Sequence, residues 1–255
     1  MQMPTWIDDD EPLPPTRAAL GLDSDAPGLL AVGGGLTPRR LEQAYRQGVF
    51  PWFGPGQPVL WWSPDPRMVL PVARFKISKS LGKTLRRFVR TPGCELRIDS
   101  AFEQVIEACA RTPREGQSGT WIVPSMVAAY AAWHRLGRVH SVETWVDGRL
   151  VGGLYCVAIG RMVFGESMFA RATDASKVAL AALVAFCRVH GVAWIDCQQN
   201  TGHLASLGAH EVSRETFEQH LSRALGEPDI ADWTYDSRHW LQLEALLNTP
   251  LRDGA

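Results

Sequence analysis

The sequence predicts an α+β fold, because three patterns follow one another along the chain. Helical patterns occupy the middle of the chain. Two strand-like runs, His140 to Val146 and Leu150 to Ile159, then flank an Asp-Gly turn and predict an antiparallel hairpin. An apolar run from Met162 to Phe164, a helical pattern from Asp174 to His190 and an apolar run from Val192 to Cys197 follow. This last triplet predicts a βαβ unit with two parallel strands.

The first part of the chain predicts a small separate domain. Residues 1 to 30 are acidic and proline-rich and predict a partly extended arm. Leu29 to Leu36 is a strand-like run into three glycines, and Thr37-Pro38 opens a helix that ends near Gly48. No Lys-Ser or Lys-Thr follows the glycines, so we expect a tight turn there and not a phosphate loop. The predicted division gives an α/β domain over 1–66 and a larger domain over 67–255.

Composition narrows the class of protein. The chain has 255 residues, lacks an apolar run long enough to span a bilayer and begins with an acidic segment that does not resemble a secretion signal. We therefore expect a cytoplasmic protein with no membrane partner. Five cysteines without a C-x-x-C pair fit reduced core residues better than disulfides or a zinc site.

Each strand of the βαβ unit leads into polar residues. The first run continues as Gly165-Glu166-Ser167, and the second closes with Asp196-Cys197-Gln198. A right-handed crossover places both strand ends at one edge of the sheet, where ligands collect. Because successive side chains of a strand point to opposite faces, Asp196 and Gln198 would lie on one face and Cys197 on the other. We therefore predict that Glu166, Asp196 and Gln198 converge on one cleft. In the alternative interpretation, Glu166 is a solvated loop acid and Asp196 caps a turn.

Positive charge is concentrated in one short segment. Eight basic residues and no acid lie from Arg67 to Arg90, so the remainder of a chain with net charge −1 carries −9. After a possible Ser78 cap, helical spacing would align Lys79, Lys83, Arg86, Arg87 and Arg90 on one face. Such a stripe can be an ordinary solvated face, but the lack of compensating acids favours a polyanionic partner.

Three tryptophans lie close together between Trp52 and Trp62. We expect Trp61 and Trp62 to be buried in the core, whereas Trp52 is placed to stack on a base.

Nine sequence blocks between Gly48 and Ala209 are informative together: GVFPWF, LWWSPDPR, TWIVPSM, HSVETW, LVGGLY, FGESMF, DASKVAL, IDCQ and HLASLGA. In this order and spacing they resemble one enzyme family, the bacterial leucyl/phenylalanyl-tRNA–protein transferases, and the match spans about Leu13 to Leu221. The resemblance implies transfer of leucine or phenylalanine, with methionine as a further candidate, from aminoacyl-tRNA to proteins that begin with Arg or Lys, which marks them for degradation. It implies an N-acetyltransferase-like (GNAT superfamily) large domain, in agreement with the order of elements, and a reaction without metal or coenzyme.

The resemblance also implies roles for individual residues. Asp196, Gln198 and Glu166 would be catalytic, and Lys79, Lys83, Arg86 and Arg87 would bind the tRNA. The residues implied to bind the aminoacyl-adenosine end are Trp52, Trp121, Leu154, Met168, Leu180, Leu183 and Ile195. For the aliphatic residues among them, ordinary core packing is the alternative.

The sequence is also compatible in part with two other functions. A non-catalytic RNA-binding protein would explain the basic stripe but not the polar strand ends. A coenzyme A-dependent acetyltransferase would need a glycine-bearing loop before the central helix, whereas Arg171 to Ser176 contains no glycine. The role of the tail 222–255 is not indicated by the sequence.

Overall fold

The computed structural model describes residues 3–112 and 122–248 of the chain. Within these ranges the chain forms two β-sheets and eight α-helices, which confirms the predicted α+β class. The helices are α1 (Pro38–Arg46), α2 (Lys79–Arg90), α3 (Phe102–Arg111), α4 (Pro124–His134), α5 (Ala175–Val189), α6 (Gly202–Ser206), α7 (Arg214–Leu225) and α8 (Ser237–Asn248). None of them is long and apolar enough to cross a bilayer.

A four-stranded sheet forms the N-terminal part, in the order β1-β2-β4-β3. Its strands are β1 (Thr5–Ile7), β2 (Leu29–Gly33), β3 (Phe50–Pro51) and β4 (Leu60–Trp62). Helix α1 begins as the sequence predicts, because the Thr37 side chain accepts a hydrogen bond from the backbone N–H of Arg40 at 3.2 Å. Trp61 and Trp62 are buried, in agreement with the expected core role.

A seven-stranded sheet forms the larger part, in the order β11-β5-β10-β9-β8-β7-β6. Its strands are β5 (Arg67–Pro71), β6 (Cys94–Ile98), β7 (Val139–Val146), β8 (Arg149–Ile159), β9 (Met162–Ala170), β10 (Trp194–Gln198) and β11 (His210–Val212). The predicted hairpin joins β7 to β8, and Asp147 and Gly148 have the positive φ angles of 47° and 70° that a two-residue type I′ turn requires. Strands β9 and β10 are parallel and connected through α5, so the predicted βαβ unit is confirmed. The prediction that its first strand ends before Glu166 is wrong, because β9 pairs with β8 as far as Ala170 and Glu166 lies within the strand.

One apolar core extends across the predicted boundary at residue 66. The ring of Tyr45 from α1 contacts Phe164 of β9 with their centroids 5.0 Å apart, and both are fully buried. A second cluster packs the other face of the large sheet against α5, α2 and α8. Because the first core is shared, the division into domains over 1–66 and 67–255 stays a prediction.

The tail contains an ordered helix. Helix α8 packs on α5 and α2, and Leu243 and Leu246 are buried in the second core. The guanidinium of Arg86 on α2 donates to the backbone carbonyl of Leu247 at 3.0 Å. Part of the tail is therefore integral to the larger body of the protein.

Candidate active site

Two irregularities in adjacent strands shape the polar edge of the βαβ unit. In β9 the pairing with β8 steps from Gly165 to Ser167, which leaves Glu166 as the extra residue of a β-bulge. In β10 the pairing with β5 steps from Asp196 to Gln198, and Gln198 adopts a left-handed φ of 64°. Bulges redirect side chains and occur often beside active sites. The two bulges therefore aim Glu166 and Gln198 toward each other.

The carboxylate of Glu166 lies at the centre of a hydrogen-bonded group. Its Oε1 accepts from the Gln198 amide nitrogen at 3.0 Å and from the Tyr45 hydroxyl at 2.7 Å. The Tyr130 hydroxyl lies 3.4 Å from Oε2 and 2.5 Å from the Tyr45 hydroxyl. Burial raises the pKa of Glu166 to about 7; the charge of Asp196 acts in the same direction, and the hydrogen bonds oppose it. A carboxyl that titrates near neutral pH suits an exchange of protons with an amine.

Asp196 forms a buried ion pair with Arg67, the first residue of β5. Arg67 Nε and Nη2 lie 2.8 and 2.6 Å from the two carboxylate oxygens, and neither side chain is more than 1% exposed. Asp196 Oδ1 also accepts from the backbone N–H of Gln198 at 2.9 Å. The carboxylate therefore reaches Gln198 through the backbone and lies behind the site, not within it.

The prediction that Asp196 and Gln198 share one face is wrong in detail. Strict alternation ends at the bulge in β10, so both Cys197 and Gln198 line the cavity described next, whereas the Asp196 side chain turns to Arg67. The close approach of Glu166 and Gln198 agrees with the predicted convergence. Burial raises the pKa of the Cys197 thiol well above its ordinary range, which makes it a poor nucleophile.

A cavity of about 550 Å³ opens at this edge of the sheet. Glu166 and Gln198 lie on its wall together with Ser167 and Tyr155. Its apolar lining includes Trp52, Leu154, Met168, Leu180, Leu183 and Ile195. These are six of the seven residues proposed from the resemblance to bind the aminoacyl-adenosine end; the seventh, Trp121, lies outside the described residues. A mostly apolar cavity with a few convergent polar groups suits a small apolar group joined to a polar one.

The basic stripe occupies the exposed face of α2. Ser78 caps this helix by accepting from the backbone N–H of Leu81 at 3.2 Å, as expected. Leu81, Leu85 and Phe88 are buried, which turns the predicted tRNA-binding side chains outward; these are Lys79, Lys83, Arg86 and Arg87.

Helix α2 is connected to the rim of the cavity through α5. Thr84 of α2 donates to the Asp174 carboxylate at 3.2 Å, and Lys177 of α5 lies 2.8 Å from the other Asp174 oxygen. Further along α5, Leu180 and Leu183 line the cavity. Helix α5 thus contacts the basic helix at its N-terminus and the cavity through these two leucines.

Sequence reasoning missed three residues of this site. Arg67, Tyr45 and Tyr130 contact Asp196 or Glu166 across separations of 129, 121 and 36 residues. One signal was present for Arg67: both it and Asp196 are charged residues at an end of an otherwise apolar run, which is a reason to expect an ion pair.

Comparison with known proteins assigns the family. The model of the leucyl/phenylalanyl-tRNA protein transferase family matches residues 69–222, and the model of its N-terminal domain matches residues 34–65. The chain belongs to this family. It is 65% identical over 242 residues to the leucyl/phenylalanyl-tRNA–protein transferase of Methylibium petroleiphilum, and the aligned residues cover 94% of this chain and 91% of the relative. The corresponding protein of Cupriavidus metallidurans is 57% identical over 249 residues, which cover 98% of this chain and all of the relative.

Family membership confirms the predicted resemblance and the predicted enzyme class, an aminoacyltransferase. Among solved structures, L-PGS from Bacillus licheniformis overlaps 62% of this transferase and 56% of its own chain at 14% identity, with a TM-score of 0.34. A TM-score of 0.34 does not define a fold superfamily, so the GNAT assignment of the transferase stays a proposal.

Proposed function

We propose that the protein transfers leucine or phenylalanine from aminoacyl-tRNA to the N-terminal amine of proteins that begin with Arg or Lys, as a step toward their degradation. Methionine is a further candidate donor. The cavity beside Glu166 and Gln198 carries this proposal, because its apolar lining fits these side chains and Glu166 and Gln198 supply polar groups beside that lining. Family membership supports the tRNA donor and the protein acceptor.

Binding of the donor divides between the cavity and helix α2. The apolar lining would hold the aminoacyl side chain, and Trp52 would stack on the terminal base. Lys79, Lys83, Arg86 and Arg87 would contact phosphates of the acceptor stem, which adds affinity and salt dependence without reading sequence. Discrimination would then depend on the amino acid and the end nucleotide.

The chemistry is the attack of an α-amine on an activated ester. A carbon–nitrogen bond forms, the ester carbon–oxygen bond breaks, and a proton passes from the amine to the departing ribose oxygen. An unperturbed α-amine has a pKa of roughly 8, so about a tenth is already uncharged at neutral pH. The enzyme therefore needs mainly to orient the reactants and support the proton transfer.

Glu166 and Gln198 would orient the amine. The Gln198 amide nitrogen donates to Glu166, which leaves the amide oxygen as the group that can accept from the incoming amine. An amide is too weak a base to take the proton itself. Glu166, with a pKa of about 7, can bind the amine and exchange a proton with it. Asp196 would act only through Gln198, because it is fully buried against Arg67.

Coenzyme A-dependent acetylation is less well supported. The N-terminus of α5, where an acetyltransferase would bind pyrophosphate, carries Asp174, and its carboxylate is engaged by Thr84 and Lys177. A carboxylate at this point opposes an anionic cofactor.

We also propose an N-acetyltransferase-like fold for the larger body of the protein, because of the order of its helices and strands. We further propose a cytoplasmic location.

To test the proposal, the protein is incubated with leucyl-tRNA labelled in the amino acid and with a peptide that starts with Arg. Label on the peptide supports the proposal, and a peptide with an acetylated N-terminus is the matched control. Binding of tRNA without transfer of label would instead favour a non-catalytic RNA-binding protein. Peptides that start with Lys, Ala and Glu measure how strictly the acceptor residue is selected.

A further inference from the structure

The backbone of Gln198 is held in a conformation that glutamine seldom adopts. Its φ of 64° lies in the left-handed region, which is unfavourable for residues with a Cβ atom. The bulge in β10 skips Cys197, so Gln198 pairs with Met68 of β5 outside the regular alternation of the strand. Contacts beyond regular strand pairing therefore help to hold this conformation.

One carboxylate oxygen forms a hydrogen bond that holds this backbone. Asp196 Oδ1 accepts from the backbone N–H of Gln198 at 2.9 Å, and the same oxygen accepts from Arg67 Nε at 2.8 Å. Arg67 Nη2 donates to Asp196 Oδ2 at 2.6 Å, so both carboxylate oxygens are hydrogen-bonded to one planar guanidinium, which restrains the rotation of the carboxylate. The direction of Oδ1, and with it the turn at Gln198, is set by Arg67.

Arg67 is itself fixed from several sides. Its Nη1 donates to the backbone carbonyl of Gly48 at 3.0 Å. The guanidinium lies between the rings of Phe50 and Phe217, with 4.8 and 4.6 Å from the guanidinium carbon to the two centroids. Phe50 and Gln198 both line the cavity. Arg67 thus connects the aromatic wall of the cavity to the end of β10.

We propose that Arg67 is a positioning residue for the transfer reaction: acting through Asp196, it holds the Gln198 amide on the cavity wall beside Glu166. This inference rests on the proposed function. Arg67 does not line the cavity; it reaches the cavity wall through Asp196 and Gln198 on one side and through Phe50 on the other, and the proposal concerns the first route. Lysine cannot replace it, because an ammonium group cannot bind both carboxylate oxygens and the Gly48 carbonyl in the planar geometry of a guanidinium.

A double-mutant cycle on the transfer reaction tests this route. Arg67→Lys, Gln198→Ala and the double variant are compared with the wild type for kcat and KM. We expect Arg67→Lys to lower kcat about tenfold or more, since a small misplacement of a reacting group has effects of that order. In the Gln198→Ala background, Arg67→Lys should cause no further loss of kcat, because the group it positions is gone.

The controls separate positioning from general damage. Arg40→Lys alters another buried arginine, 4% exposed, that holds the backbone carbonyl of Asp9 at 2.6 Å and has no contact with Asp196 among the described hydrogen bonds. It should leave kcat unchanged. Where Arg67→Lys fails to fold, the same cycle with Asp196→Asn replaces it and should show the same lack of additivity.

Two results would overturn the inference while leaving the proposed function intact. The first is an unchanged kcat in Arg67→Lys, and the second is a double variant whose losses multiply as independent effects. An absence of transfer by the wild-type protein would overturn the proposed function itself.

Discussion

Replacing Glu166 by glutamine removes a buried carboxyl whose pKa is raised from 4.5 to about 7, chiefly by burial. Because the folded protein binds this proton more tightly than the unfolded chain does, the free energy of unfolding must fall as pH rises from about 4.5 to 7. This rise of about 2.5 in the pKa lowers the free energy of unfolding by about 3 kcal/mol once the carboxyl is ionised in both states, at 1.36 kcal/mol per pH unit. The Glu166→Gln variant has no such ionisation, so its stability should lack this part of the pH dependence.

Urea unfolding at pH 5, 6, 7 and 8 measures the effect. The difference in unfolding free energy between Glu166→Gln and the wild type should grow by about 2.5 kcal/mol in favour of the variant between pH 5 and pH 8, because the rest of the change occurs below pH 5. All other titrating groups are common to both proteins and largely cancel. Glu103→Gln, which removes an exposed acid from α3, is the control for loss of one charge. A difference that stays constant with pH would refute the argument that burial dominates at Glu166.

Three further predictions concern the ion pair, the basic face and the cavity. Asp196→Ala should lower the free energy of unfolding by about 3–5 kcal/mol, because it leaves a buried guanidinium without its partner; urea unfolding at pH 7 measures this, and a loss below about 1 kcal/mol would contradict it. Reversing two charges on α2, with Lys83→Glu and Arg87→Glu, should weaken tRNA binding and reduce the slope of log K against log salt by about 2. Arg223→Glu, an exposed change on α7, is its control, and equal slopes would make the α2 stripe an ordinary solvated face. Leu183→Phe should narrow the cavity and raise the preference for leucyl over phenylalanyl donors about tenfold in kcat/KM, whereas an unchanged ratio would place the donor side chain elsewhere.

The βαβ unit was predictable because its signals are local. Apolar periodicity from Asp174 to His190 and the short apolar runs on both sides of it depend only on neighbouring residues, and the structure places α5, β9 and β10 there. The turn at Asp147-Gly148 was predictable for the same reason, since those two residues tolerate positive φ.

The site was predictable only in part, because its geometry depends on long-range register. Alternation along β10 held up to Asp196 and failed at a bulge that forms only when β5 pairs beside it. The ion pair of Asp196 with Arg67 spans 129 residues, and no local pattern identifies such a partner. Without that partner, Asp196 looked like a residue of the cleft; with it, Asp196 is a support behind Gln198.

The roles of Gln198 and Glu166 are tested most directly by the single-turnover rate of aminoacyl transfer in Gln198→Ala and Glu166→Ala, measured with saturating donor and acceptor. If these two side chains orient the amine, each rate should fall by about two orders of magnitude while the folded state persists in thermal unfolding. Wild-type rates in both variants would show that the reaction takes place somewhere other than the cavity between β9 and β10.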